Sequence, residues 1–157
     1  MGKESSRSAM QTAHPHSSAR KLLIVEDEAL VALGLRLLLE DSGYHVTGAA
    51  VSAPEAIELA ALVRPELALV DVRLAHGTDG VMLAKALQGR FCIPSILVTA
   101  HLDFEEAAQA RVLGLLRKPF RDFELIEMIE AAFRWIDRGD VEDPMPKGML
   151  LGRSGRI

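Results

Sequence analysis

Residues 66–72 read Glu-Leu-Ala-Leu-Val-Asp-Val (ELALVDV). An apolar run this short, closing on an acid, has the length of a buried strand. It therefore sets Asp71 at a strand's end. Similar runs occur at Lys21–Glu26 (KLLIVE), His45–Ala50, Ser95–Thr99 (SILVT, introduced by Pro94) and Leu115–Arg117. Between them lie segments of helical length and composition. Ala29–Leu39 has Gly43 as a stop just beyond it. Ser52 reads as an N-cap with Glu55 completing a capping box, and that helix extends to Val63, before Arg64-Pro65. Gly80–Leu87 and Asp103–Val112 also read as helices. Phe120–Arg138 is amphipathic, with Phe123, Ile126, Ile129, Ala132, Phe133 and Ile136 at helical spacing. Five strands alternating with five helices predict an α/β fold, a doubly wound five-stranded parallel sheet flanked by five helices. Near-continuous apolar strands suit a sheet covered on both faces.

Composition narrows the function. The chain has 157 residues, enough for one compact domain, and a formal charge of −4. That balance offers no clustered basic face for nucleic acid. Aromatic residues make up only 4%, so the core must be aliphatic. The single cysteine, Cys92, excludes an internal disulfide framework and is expected to be a small half-buried hydrophobe. No apolar run has transmembrane length, and the N-terminus carries no secretory signal. A cytoplasmic location with no membrane contact is the expectation. Residues 1–19, with His14 and His16, read as a disordered tail, and residues 139–157 as a Gly- and Pro-rich tail without period. No Gly-rich phosphate loop occurs.

In a parallel sheet the strand ends share one edge, where ligands bind in folds of this class. The residues that converge there are Glu26-Asp27 after the first strand, Asp71 after the third, Thr99 after the fourth and Lys118 after the fifth. Crowded carboxylates repel one another, and a hard divalent cation such as Mg²⁺ relieves that repulsion through oxygen ligands. A carboxylate is also a nucleophile able to form an aspartyl-phosphate. Lys118 supplies a mobile positive charge, Thr99 a hydroxyl donor, and Ala100 leaves space for a phosphoryl group.

These segments resemble the receiver domain of bacterial two-component response regulators. LLIVEDE is similar to the family's first strand and acidic pair, LALVDVRL to its phosphoacceptor strand, ILVTA to its switch strand and RKPF to its Lys-Pro signature. The likeness covers residues 20–138. It implies a flavodoxin-like sheet of order 2-1-3-4-5. It also implies Asp71 as the phosphoacceptor, Thr99 and Lys118 as the phosphoryl-sensing pair, and Mg²⁺ held by Glu26, Asp27, Asp71 and the backbone carbonyl of Arg73. The Lys118-Pro119 peptide is often cis in this family. The phosphoryl donor would be a sensor histidine kinase or a histidine phosphotransfer protein. Arg73 and His101 stand where the family tunes the lifetime of the phosphorylated state.

Three departures from the family pattern stand out. Ala75 replaces the common Pro after the acceptor, in a loop that runs longer before Gly80. The stretch from Thr99 to Lys118 is shorter than usual, predicting a short or partly unwound fourth helix. Leu115 occupies a position that usually holds an aromatic, so coupling from Asp71 to the surface is expected to differ. The 19 residues after Arg138 are too few for a DNA-binding domain of about 50–100 residues. The expectation is a single-domain regulator with no output domain, no direct nucleic acid contact and signalling through a downstream protein target. Phe133 and Trp135 are candidates for a partner face or a homodimer, with core packing the more frequent explanation for such residues. The alternative is a phosphorylation-independent interaction module. A phosphohydrolase is disfavoured because Arg73 stands where such enzymes place a second Asp.

Overall fold

The computed structural model describes residues 18–101, 104–139 and 144–150. The expected N-terminal tail, apart from residues 18 and 19, and residues 140–143 and 151–157 of the C-terminal one lie outside these. The elements in chain order are β1 (Lys21–Val25), α1 (Ala29–Asp41), β2 (His45–Ala50), α2 (Ala53–Val63), β3 (Leu67–Asp71), α3 (Gly80–Phe91), β4 (Ser95–Thr99), α4 (Phe104–Gln109), β5 (Gly114–Arg117) and α5 (Asp122–Arg138). A 3₁₀ turn, Ala75–Gly77, bridges β3 and α3. The five strands form one parallel sheet ordered β2-β1-β3-β4-β5.

Alternation along the strands divides the core into two layers. Leu23, Val25, Ala68, Val70 and Leu97 face Ala56 and Ala60 of α2 and Leu83, Ala84 and Leu87 of α3. Leu22, Ile24, Leu69, Ile96 and Val98 face Leu35 and Leu39 of α1 and Leu125, Met128, Ile129 and Phe133 of α5. Both faces are covered, which is why the strands read as continuous apolar runs.

Helix starts follow the local signals, with adjustments. The Ser52 hydroxyl accepts the Glu55 amide at 3.4 Å, as a cap should. The Glu55 carboxylate, however, reaches the Val51 amide, one residue earlier than a capping box requires. Asp79 caps α3 by accepting the Val81 amide at 2.8 Å. α4 is only six residues long, as the short Thr99–Lys118 spacing predicts. α5 begins at Asp122 rather than Phe120, because its N-cap, Arg121, is extended.

Phe133 is buried, stacked on Tyr44 at 5.9 Å between centroids and covered by the Arg20 guanidinium, so it offers no partner face. At the ends of the same stripe, Phe123 and Ile136 are exposed. Cys92, expected to be half-buried, is exposed, in the left-handed C-cap of α3. The loop after Asp71 is tied by a bridge between Arg73 and Asp79 and by buried Leu74. Finally, residues 144–150 dock: Met149 bridges Gly114 on the outer edge of β5, and Leu150 is buried.

Gly80 is the contact that sets α3 against the sheet. A Cβ there would lie 2.0 Å from the Asp71 carbonyl oxygen, so only glycine lets the helix start this close. Gly80→Val is expected to lose about 1–3 kcal/mol of stability in urea unfolding.

Candidate functional site

The parallel register brings the strand ends together. Asp71 closes β3 and pairs with Val98, one residue before the end of β4, while Thr99 pairs with Arg117 at the end of β5. Glu26 and Asp27 directly follow β1, and Lys118 directly follows β5. Ligand oxygens of Glu26, Asp27 and Asp71 all lie within 4.8 Å of one another.

Lys118 holds this cluster. Its Nζ donates to Glu26 Oε2 and to Asp71 Oδ2, each at 3.0 Å. The Arg73 amide donates to Asp71 Oδ1 at 3.1 Å, and the Glu28 amide to Glu26 Oε1 at 3.2 Å. Thr99 is buried, and its Oγ1 accepts the His101 amide at 3.3 Å. The Lys118 amide donates to the Thr99 carbonyl at 2.9 Å, joining the two strand ends. All six residues expected at the site are therefore at one edge, Arg73 meeting Asp71 through its amide.

Glu26 is 3% exposed, and that burial pushes its carboxyl above the ordinary range. The Glu28 amide and Lys118 partly offset the shift, while the Asp71 charge adds to it. For Lys118, burial alone would lower the pKa. Hydrogen bonds to Asp71 and Glu26 outweigh it, so the ammonium is held above its usual value. The donor set is all oxygen and carries three carboxylates against one ammonium. That suits a hard divalent cation better than a soft metal.

Sequence reading missed the contacts that position these groups. The Glu28 and Arg73 amides each fix a carboxylate two residues earlier, and Gly80 abuts the acceptor strand's last carbonyl. Only Gly80 carried a signal, as a small residue directly after the Asp79 cap.

Residues 22–130 match the family described as response regulator receiver domain. The chain belongs to that family. It is 36% identical over 116 residues to the transcriptional regulatory protein PdtaR of Mycobacterium tuberculosis, covering 72% of this chain and 56% of that protein. It is 34% identical over 116 residues to the phyllosphere-induced regulator PhyR of Methylorubrum extorquens, covering 73% and 43%. The chain thus spans about half the length of these curated relatives. Among solved structures it resembles the signal receiver domain of a modulated diguanylate cyclase from Desulfovibrio desulfuricans G20. The TM-score is 0.71 at 35% identity, over 78% of this chain and 99% of that one. The PhyR receiver domain of Erythrobacter litoralis matches with a TM-score of 0.64 at 29% identity, over 74% and 91%. The fold is the flavodoxin-like receiver fold, and the family is a signalling module. Among the described residues, no helix is long and apolar enough to cross a membrane.

The raised Glu26 pKa has a stability consequence. A folded-state pKa above the unfolded value contributes stability that is present below the ordinary carboxylate pKa and lost as pH rises through the folded one. Glu26→Gln is therefore expected to raise Tm at pH 7. The gain should shrink as pH falls through the raised folded-state pKa and be gone below the ordinary carboxylate range, which thermal melts across that window would show.

Proposed function

We propose that this chain is a response-regulator receiver that accepts a phosphoryl group on Asp71 and signals by protein contact in a phosphorelay. The observation that carries the reading is the Lys118 ammonium shared between Asp71 and Glu26 at 3.0 Å each, with Thr99 at the adjoining strand end. In the proposed reaction an Asp71 carboxylate oxygen attacks the phosphorus of a phosphohistidine. The P–N bond breaks as the P–O bond forms, and the imidazole leaves as it takes up a proton. Lys118 then turns from the carboxylate to a phosphoryl oxygen, and the Thr99 hydroxyl donates to another. Water later cleaves the acyl phosphate, returning Asp71 and inorganic phosphate.

Glu26, Asp27, Asp71 and the Arg73 carbonyl are the proposed holders of Mg²⁺. When bound, the ion supplies charge neutralisation at the phosphoryl oxygens. Glu26 and Asp27 orient that charge, and the Arg73 amide keeps the second Asp71 oxygen turned away from Lys118.

The donor is proposed to be a histidine kinase or phosphotransfer protein that seats on α1. This helix starts two residues after Asp27 and presents Leu30, Leu33 and Leu37 to solvent, 84%, 49% and 58% exposed. Their i, i+3, i+7 spacing makes one apolar row beside the acceptor. The proposed domain unit is residues 20–138 in the cytoplasm, with the output target a protein.

A second reading, a module that works without phosphorylation, is favoured by Leu115. It is buried and its backbone is paired, so it has no inward swing left to make.

Incubation with Mg²⁺ and acetyl phosphate should add one phosphoryl mass to the intact protein, and Asp71→Asn should abolish it. No adduct, together with unchanged partner binding by Asp71→Asn, would leave the passive module standing. Leu30→Asp with Leu33→Asp should label normally with acetyl phosphate. Transfer from a phosphohistidine-bearing protein should slow at least about tenfold, since burying one leucine is worth ~1.5–3 kcal/mol.

A further inference from the structure

We propose that Pro144–Leu150 is a strap that locks the outer edge of β5 in the resting state and is released when Asp71 is phosphorylated. The proposal rests on the phosphoacceptor reading of Asp71 given above.

Among the described residues, no sixth parallel strand lies beside the outer edge of β5. Such an edge offers unpaired backbone groups to any extended chain. Here the protein's own segment takes them. The Leu115 amide donates to the Gly148 carbonyl at 2.8 Å, and the Leu150 amide donates to the Leu113 carbonyl at 3.0 Å. Met149 stands opposite Gly114 in an antiparallel bridge. Leu150 is buried in the same core layer as Leu115. The Met149 amide donates to the Pro146 carbonyl at 3.2 Å, turning the chain into the edge.

The fit has little slack. Gly148 has φ +91, and a Cβ there would lie 2.0 Å from the Leu115 carbonyl oxygen. Gly114, opposite, has Met128 Sδ 2.8 Å and the Gly148 carbonyl 3.4 Å from where its Cβ would be. The strap is also thinly held. Between Pro144–Gly148, β5 and α5 lies a cavity of about 840 Å³ lined by Leu116, Pro119, Phe123 and Met145 among others. A segment seated at one end and arched over a groove opens more easily than one packed along its length.

β5 is four residues long, and its two edges are tied to different things. Its inner edge pairs with β4, with Thr99 opposite Arg117, and the Lys118 amide donates to the Thr99 carbonyl. Its outer edge holds the strap. A phosphoryl group on Asp71 takes the place of the Asp71–Lys118 contact and draws Lys118 and Thr99 toward it. β5 must follow, because it is bonded to both. The strap is anchored separately, by Leu150 in the core, so a shift of β5 stretches its two hydrogen bonds until they break and the β5 edge opens.

Coupling between two sites is reciprocal. Unseating the strap must therefore favour phosphorylation by the factor with which phosphorylation unseats the strap. The test combines hydrogen exchange and intact mass on the full chain, with Mg²⁺ and acetyl phosphate as the probe. In the phosphorylated protein the Leu115 and Leu150 amides should exchange at least about tenfold faster, while the Leu23 amide in the centre of the sheet stays protected. Gly148→Val and, as a milder change, Leu150→Ala should each raise the labelled fraction at limiting acetyl phosphate, with far-UV circular dichroism showing a folded chain. Label appearing only in these variants would also support the lock.

An adduct on the wild-type chain with unchanged exchange at Leu115 and Leu150 would overturn the strap and leave the phosphoacceptor reading intact. Failure of all three chains to label would overturn that reading and the strap with it.

Discussion

The ion pairs from Lys118 to Glu26 and Asp71 are what the rest of the edge depends on. Three carboxylates drawn within 4.8 Å would drive the strand ends apart if left unbalanced. Burying Glu26 adds a desolvation cost that no surface carboxylate meets. One ammonium answers both problems, and it can do so only if β5 ends beside β4 and points back across β3. The strand order β2-β1-β3-β4-β5 satisfies that requirement. Charge balance and topology are thus one constraint seen from two sides, since the pairing that buries the aliphatic layers also delivers Lys118 to the acids.

Glycine enforces the same constraint at the backbone. Gly80 lets α3 begin against the Asp71 carbonyl, and the Gly80 amide donates to the Val72 carbonyl at 2.8 Å. This contact and the bridge between Arg73 and Asp79 hold the loop that carries the Arg73 amide onto Asp71. Gly148 has the same part at the β5 edge of the sheet, where it lets a second segment approach Leu115. The two close approaches lie at the ends of one chain of strands, β3 to β4 to β5. Asp71 and the strap are therefore linked through backbone pairing, without the aromatic side chain that the family usually places at the position of Leu115.

Much of this was legible in the residues. ELALVDV, KLLIVE and SILVT located three strands within a residue or so, because short aliphatic runs between helices have few other stable placements. The acid, hydroxyl and amine at the strand ends were legible because parallel strands must end on a common edge. Phe133 was left between core and partner face, since a helix stripe shows which residues share a face but not where Tyr44 and Arg20 will cover it. Cys92 was misjudged because its left-handed cap depends on where α3 stops, four residues beyond the expected end.

The sequence by itself determined the alternation of elements, the aliphatic core and the chemical kinds of group at the sheet edge. These follow from local period and residue type, which act over a few residues. Tertiary structure alone decided that Lys118 bridges Glu26 and Asp71, that amides two residues on fix both carboxylates, and that Gly148–Leu150 closes the β5 edge. Those contacts join residues distant in sequence, or turn on a few tenths of an ångström of backbone approach. Neither periodicity nor composition encodes such distances, which arise only once both faces of the sheet are packed.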